Sequence, residues 1–169
     1  MMEKTSILIV DDKPENLHLL SDVLLAEDYV VRQAINGNMA LKSVVFEQPD
    51  IILLDIKMPG MDGFELCFRL KELPKTKDIP VIFLSAQDDV VSKLKAFDIG
   101  GVDYITKPFR FQEVLIRVSR QIEAKKQQKE LNSCHKKIEE LETLTNILAD
   151  KLEQARLLLE KAGIREIAL

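Results

Sequence analysis

"ILIVDDKPEN" (residues 7–16) joins a short apolar run to two adjacent aspartates, a lysine and a proline. The run from Ile7 to Val10 is typical of a buried β-strand, and Pro14 suits the first turn of a helix. Asp11 and Asp12 therefore come directly after a strand. Their carboxylates repel each other there, so a positive partner is expected close to them.

The same alternation of short apolar runs and longer helical patterns recurs along the first 125 residues. The predicted strands are residues 6–10, 29–34, 50–55, 79–85 and 102–106, and the predicted helices are residues 14–27, 38–48, 64–73, 90–97 and from 111 onward. Most of the strands are rich in Ile, Val and Leu without polar alternation, which is typical of strands buried on both faces. The pattern predicts an α/β fold, a doubly wound five-stranded parallel sheet.

Composition limits the classes of function. The chain has 169 residues, 46% of them apolar, which suits one domain and an appendage. No apolar segment approaches the length of about 18 residues that a membrane span requires, so no membrane contact is expected. No secretory signal is evident and the two cysteines lie far apart, so a cytoplasmic location is expected. The net charge is −4 and no basic run is evident, so contact with nucleic acid is not expected. No predicted strand is followed by a glycine-rich phosphate loop, which argues against a nucleotide-binding site.

The residues after the predicted strands carry the chemistry. Three acids (Asp11, Asp12 and Asp55), a hydroxyl (Ser85) and a cation (Lys107) all fall on the strand-end edge where doubly wound sheets bind ligands. Carboxylates 4 Å apart repel by roughly 4 kcal/mol per pair at an effective dielectric of 20. A divalent cation would offset this, and oxygen-only ligands favour Mg²⁺, with Mn²⁺ as the alternative. A metal, a lysine and a hydroxyl around one carboxylate predict a phosphoryl-acceptor site.

Four separated motifs, "VDDKPEN", "ILLDIKMPGMDGFEL", "VIFLSA" and "DYITKPF", occur in this order after their strands. Together they resemble the receiver domain of bacterial two-component response regulators over residues 5–122. The resemblance implies a flavodoxin-like receiver in which Asp55 is the phosphorylated residue. It further implies that Asp12 and Asp55 bind Mg²⁺ directly, that Asp11 holds a metal-bound water, and that the backbone carbonyl of Lys57 completes the protein ligands.

The resemblance also assigns the other site residues. Ser85 would hydrogen-bond the phosphoryl group, Lys107 would be the active-site lysine, and Tyr104 would be the aromatic switch that turns after phosphorylation. Pro108 would follow a cis peptide bond. Gln87, two residues after Ser85, would help to tune the access of water, as would Lys57, two residues after Asp55.

The implied partner is a histidine kinase or a phosphotransfer protein. The implied chemistry is limited to phosphorylation and dephosphorylation of the chain itself, so an enzyme acting on other substrates is not expected; an output enzyme domain outside this chain stays open. A phosphatase of the haloacid dehalogenase class would need a second aspartate two residues after Asp55, where this chain has Lys57. That position leaves no general acid for turnover.

The C-terminal part of the chain is predicted to form one long helix, because residues 111–161 contain neither proline nor glycine. Phe111, Leu115, Val118 and Ile122 form the expected docking stripe. A second apolar stripe with heptad spacing predicts a coiled coil. One heptad position is occupied by Leu131, Ile138, Thr145, Leu152 and Leu159. The other is occupied by Cys134, Leu141, Leu148, Ala155 and Ala162. We therefore expect a receiver at residues 1–122 and a dimerising signalling helix at residues 123–169.

The sequence as a whole predicts a receiver module that accepts a phosphoryl group on Asp55 and transmits the change through a homodimeric C-terminal helix. The alternative is a constitutive structural dimer or adaptor with a vestigial receiver. A second alternative for the tail is a solvated helix that folds back on the receiver. The cognate kinase, the output, the lifetime of the phosphoryl group, the direction of the dimer and the completeness of the chain stay open.

Overall fold

Strands and helices alternate along the chain. The structure is a computed structural model that describes residues 4–86 and 90–163, with the backbone alone at residues 90–93. Its elements are β1 (Ser6–Val10), α1 (Pro14–Ala26), β2 (Val30–Ala34), α2 (Gly37–Phe46), β3 (Ile51–Asp55), α3 (Gly63–Glu72), β4 (Val81–Ala86), α4 (Val90–Asp98), β5 (Asp103–Lys107) and α5 (Phe111–Lys161). The predicted order of elements is confirmed.

The five strands form one parallel sheet in the order β2-β1-β3-β4-β5. This confirms the predicted doubly wound α/β fold. The direction in which successive strands are added to the sheet reverses between β1 and β3. These two strands pair with Val10 opposite Leu54. The residues that follow, Asp11 and Asp55, are therefore neighbours at the same edge, where ligands of such sheets bind.

Two apolar layers cover the two faces of the sheet. Leu8 and Val10 of β1 pack with residues of α2, α3 and α4, whereas Ile7 and Ile9 pack with residues of α1 and α5. Side chains on both sides of each central strand are thus buried, which explains why these strands carry no polar alternation. Burial of one such side chain contributes about 1.5–3 kcal/mol relative to exposure.

The predicted boundaries were off by one or two residues at several elements. The largest error at a helix end is in α2, which was expected to reach residue 48 and ends at Phe46. Gln48 precedes Pro49, and a residue before proline is disfavoured in the helical region. Glu47 is already extended, with φ −152° and ψ 124°. The predicted fourth strand began at residue 79, but β4 begins after Pro80, at Val81.

Helix α5 docks through residues that were only partly predicted. Val118 is buried and Leu115 and Ile122 pack against the second core layer, as expected. Phe111, however, is 45% exposed, and the other fully buried position is Val114. The prediction was therefore wrong at Phe111 and missed Val114, which lies one turn before Val118 on the face that meets the sheet.

The chain divides into two compact units, Met1–Ala124 and Lys125–Leu169. In the second unit the described residues are one exposed helix, which ends at Lys161 and is followed by Gly163 with φ +74°. The apolar seam residues of this helix are exposed, among them Leu141 and Leu152. The coiled coil stays a prediction, and residues 164–169 of its predicted span lie outside the described residues. Within the described chain, no helix combines the length and apolarity needed to cross a bilayer.

Candidate functional site

Strands β1 and β3 bring three carboxylates together. Asp11, Asp12 and Asp55 each offer an oxygen atom, and these atoms lie within 4.8 Å of one another. Asp11 is fully buried and Asp55 is 5% exposed, while Asp12 is half-buried. The cluster was predicted from strand ends alone. Burial makes its mutual repulsion stronger than on an open surface.

Lys107 brings a positive charge to this cluster from the end of β5. Its ammonium Nζ lies 2.7 Å from Oδ2 of Asp11 and 2.9 Å from Oδ1 of Asp55. The lysine is the predicted cation, and it contacts two of the three acids at once. Three carboxylates against one ammonium leave an excess of negative charge, so a further cation would be stabilised at this edge.

Burial raises the pKa of the Asp55 carboxyl above its ordinary value, and the neighbouring charge of Asp11 acts in the same direction. The Lys107 ammonium and the backbone N–H of Lys57 oppose this by hydrogen-bonding the charged form, but burial is the larger effect. The structure thus holds a carboxylate whose ionisation is costly without more positive charge. The role of the Lys57 backbone carbonyl as a metal ligand stays a prediction.

The loop between β3 and α3 is held tightly against Asp55. Gly60 has φ +77°, a region that glycine adopts at no steric cost. At Gly63, an added Cβ would collide with the backbone carbonyl oxygen of Asp55, so only glycine fits there. Asp62 caps α3 by accepting from the N–H of Glu65 at 2.8 Å. These local features fix the backbone of the acidic edge.

Ser85 is the penultimate residue of β4, beside this edge, and its side chain is buried. It is 2% exposed, and its Oγ has no hydrogen-bond partner within the described part of the chain. A buried hydroxyl without a partner costs about 1–3 kcal/mol, so it is suited to donate to an acceptor oxygen bound at the site. Gln87, the predicted residue two positions on, lies outside the described residues.

Tyr104 is partly buried on β5, between two helices. Its ring meets Phe97 of α4 edge-on, with ring centroids 6.0 Å apart. The guanidinium of Arg117 on α5 lies 5.5 Å from the centre of the same ring, and Arg117 also pairs with Asp103 at 2.6 Å and Glu113 at 2.9 Å. The predicted switch residue thus contacts both helices of this face. The Lys107–Pro108 peptide bond is cis, as the resemblance implied.

One contributor to the site was missed from the sequence. Asn16, in the first turn of α1, donates from Nδ2 to both carboxylate oxygens of Asp11, at 3.0 Å and 2.9 Å. The signal was present, because an amide five residues after Asp11, just inside a helix that follows the strand, can point back to the strand end. The donor set of the three aspartates consists of hard oxygen atoms, which fits Mg²⁺ or Mn²⁺.

The parallel sheet, its order and the acidic edge facing one lysine define a class of protein: the signalling receivers. Residues 7–119 match the profile of the response regulator receiver domain, and the chain belongs to this family. Receiver domains interact with histidine kinases or phosphotransfer proteins and generally bind Mg²⁺ through acidic residues.

Individual relatives agree with the family assignment. Over 112 residues the chain is 44% identical to the DNA-binding dual master transcriptional regulator RpaA of Synechocystis, covering 66% of this chain and 46% of that protein. Over 102 residues it is 45% identical to the response regulator PleD of Caulobacter vibrioides, covering 60% of this chain and 22% of that protein. The chain thus spans less than half the length of these two relatives.

A solved structure shows the same fold. The signal receiver domain of a signal transduction histidine kinase from Syntrophus aciditrophicus is 33% identical and superposes with a TM-score of 0.66. The match covers 71% of this chain and 91% of that one.

Replacing Asp55 by asparagine should stabilise the protein in the presence of a chelator. The substitution keeps the shape of the side chain and removes a charge that is buried beside Asp11. We expect the free energy of unfolding in urea to rise at pH 7, because the charged form of Asp55 is disfavoured in the folded state.

The pH dependence follows from the raised pKa of Asp55. Asp55 binds its proton more tightly in the folded state than in the unfolded chain. The free energy of unfolding of the wild type should therefore decrease as the pH rises from about 4 through the folded pKa of Asp55. The advantage of Asp55→Asn should therefore shrink in acid. Asp22→Asn, an exposed change on α1, is the control. A loss of stability in Asp55→Asn at pH 7 would contradict the electrostatic description of the site.

Proposed function

We propose that this chain is a phosphorylation-dependent switch in which Asp55 accepts a phosphoryl group in a Mg²⁺-dependent reaction. The observation that carries the proposal is the contact of the Lys107 ammonium with Asp55, 2.9 Å away, inside a cluster of three carboxylates. That arrangement provides a nucleophilic oxygen with positive charge beside it. The site's position at the strand-end edge of a receiver fold supports the same function.

The transfer requires only Asp55 and a phosphoryl donor, and the return step requires only water. A carboxylate oxygen of Asp55 forms a bond to the phosphorus of the donor, and the donor group leaves with the electron pair of the broken bond. The product is an aspartyl phosphate, which water later cleaves to the Asp55 carboxylate and inorganic phosphate. Lys107 would hold the transferred group by charge, and the buried Ser85 hydroxyl would donate to one of its oxygens.

Asp12 and Asp55 would hold the metal ion directly, Asp11 would hold it through water, and the Lys57 carbonyl would complete the protein ligands. When bound, Mg²⁺ supplies positive charge to the oxygens of the transferring phosphoryl group. Mn²⁺ would serve in its place. The phosphoryl donor would be a histidine-phosphorylated kinase or phosphotransfer protein, and the receiver would comprise residues 1–122.

The conformational change would spread from the site to the neighbouring helices through Tyr104. If Ser85 moves toward a phosphoryl oxygen, the space that it leaves allows the Tyr104 ring to turn inward. The ring would then lose its contacts with Phe97 of α4 and Arg117 of α5. A modification shifts such a two-state equilibrium only by the difference in its stabilisation of the two states, and a few kcal/mol suffices.

The tail would transmit the change as a parallel homodimer over residues 123–169. Its apolar seam is exposed in the single chain, with Leu131 at 58% and Leu152 at 72%. Burying such side chains against a second copy is favourable. Thr145 and two alanines keep the seam weak, which suits a connector that changes its packing. A constitutive dimer with a vestigial receiver is the alternative, and it predicts no phosphorylation.

With Mg²⁺ and acetyl phosphate, the intact protein should gain the mass of one phosphoryl group, and the label should be lost on hydrolysis. Chelation of the metal should prevent labelling, because the acidic cluster then lacks its positive counterweight. Asp55→Asn should remain unlabelled, whereas the exposed control Asp22→Asn should be labelled like the wild type. Labelling that persists in Asp55→Asn would falsify the assignment of the acceptor.

Mild oxidation should cross-link the dimer through Cys134. In a parallel seam the two copies of this exposed cysteine face each other, near the roughly 5.5–6 Å Cα spacing of disulfides. Cys67 should stay unreactive, because it is buried and burial raises its pKa to about 11. Non-reducing electrophoresis measures the product, with Cys134→Ser as the control. A monomer at tens of micromolar by light scattering, or a dimer that resists cross-linking, would show that the parallel seam is wrong.

A further inference from the structure

Asn16 holds the most buried acid of the site. The Asp11 carboxylate is fully buried, and its four donor contacts come from three residues. Oδ1 accepts from the backbone N–H of Lys13 at 2.9 Å and from Asn16 at 3.0 Å, and Oδ2 accepts from Asn16 at 2.9 Å and from Lys107 at 2.7 Å. A carboxylate has about four acceptor positions, two on each oxygen. Asp11 is therefore saturated.

Asp12 differs from Asp11 in this respect. Across residues 4–86 and 90–163, no hydrogen-bond donor is paired with the half-buried carboxylate of Asp12. Its oxygens are open to a ligand. A metal-bound water that is to donate to Asp11, in contrast, has to replace a donor that is already there.

The three donors to Asp11 differ in strength. The N–H of Lys13 belongs to the backbone at the start of α1, and the Lys107 ammonium is charged and also contacts Asp55. Asn16 is neutral and shares one amide nitrogen between two oxygens, so its bonds are the weakest of the set. Its side chain is the donor that can leave at the lowest cost in free energy.

We propose that Asn16 competes with the metal-bound water for Asp11 and thereby sets the affinity of the site for Mg²⁺. The amide holds the buried carboxylate in place and gives up its position as the ion binds. This inference rests on the proposed metal site and adds to it a residue that tunes the ion concentration at which the switch works. Asn16 acts through Asp11 and is a positioning residue.

The test is a titration of the full chain and of Asn16→Ala with Mn²⁺, followed by the paramagnetic resonance signal of the free ion. Alanine suits the first turn of a helix, so the variant should fold. Because the substitution removes a competitor equivalent to about one neutral hydrogen bond, Mn²⁺ should bind about 2- to 10-fold more tightly. His18→Ala is the control on the same helix, since His18 is exposed and contacts the Pro14 carbonyl oxygen at 2.7 Å. Its affinity should match the wild type.

Thermal unfolding gives the second readout. Asn16→Ala should melt below the wild type in chelator, because Asp11 has lost a donor, and the difference should vanish in saturating Mn²⁺, where the amide has already left. A purely structural role predicts the same loss in both conditions and unchanged affinity.

Unchanged or weaker Mn²⁺ binding by Asn16→Ala, with normal binding by the wild type, would overturn the competition and leave the proposed function standing. If the wild type itself binds no Mn²⁺, the metal site fails, and both the proposed function and this inference fall.

Discussion

Repulsion among three carboxylates at one buried edge is the constraint on which the site depends. It arises from topology, because β1 and β3 are adjacent and parallel, β1 is followed directly by Asp11 and Asp12, and β3 ends at Asp55. Lys107 offsets part of it through ion pairs with Asp11 and Asp55, and burial still raises the pKa of Asp55. The folded protein thus carries unbalanced negative charge at a fixed place. Binding of a cation and transfer of a phosphoryl group are the changes that this charge arrangement favours.

The same edge connects to the rest of the receiver through few side chains. Lys107 terminates β5, and Tyr104 on that strand lies between α4 and α5. Ser85 lies one residue before the end of β4, with a buried hydroxyl that has no partner in the described chain. A new acceptor oxygen near Asp55 would therefore change the hydrogen bonding of one strand end and the packing at the next. We interpret this coupling as the route by which a local modification reaches a helix face.

Most of the fold was predictable because hydrophobic burial leaves a direct signature in the sequence. The apolar runs predicted the strands, and the positions of Asp55 and Lys107 at strand ends predicted that both belong to the site. One of the four docking residues predicted for α5 was wrong, since Phe111 and Val114 both lie at helical spacing from Val118 and only packing against the sheet distinguishes them. Asn16 was missed because a local amide contact leaves no periodic trace. The coiled coil depends on a partner chain, which neither periodicity nor one folded chain provides.

If a phosphoryl group on Asp55 rearranges the β4–β5 edge, amide NMR spectra recorded with beryllofluoride and Mg²⁺ should report the change. Beryllofluoride mimics the bound phosphoryl group, and fluorine NMR reports its occupancy independently. Large shifts are expected at Ser85, Tyr104 and Lys107 in the wild type, and none in Asp55→Asn. Spectra that stay unchanged at these residues in a fully occupied sample would contradict it.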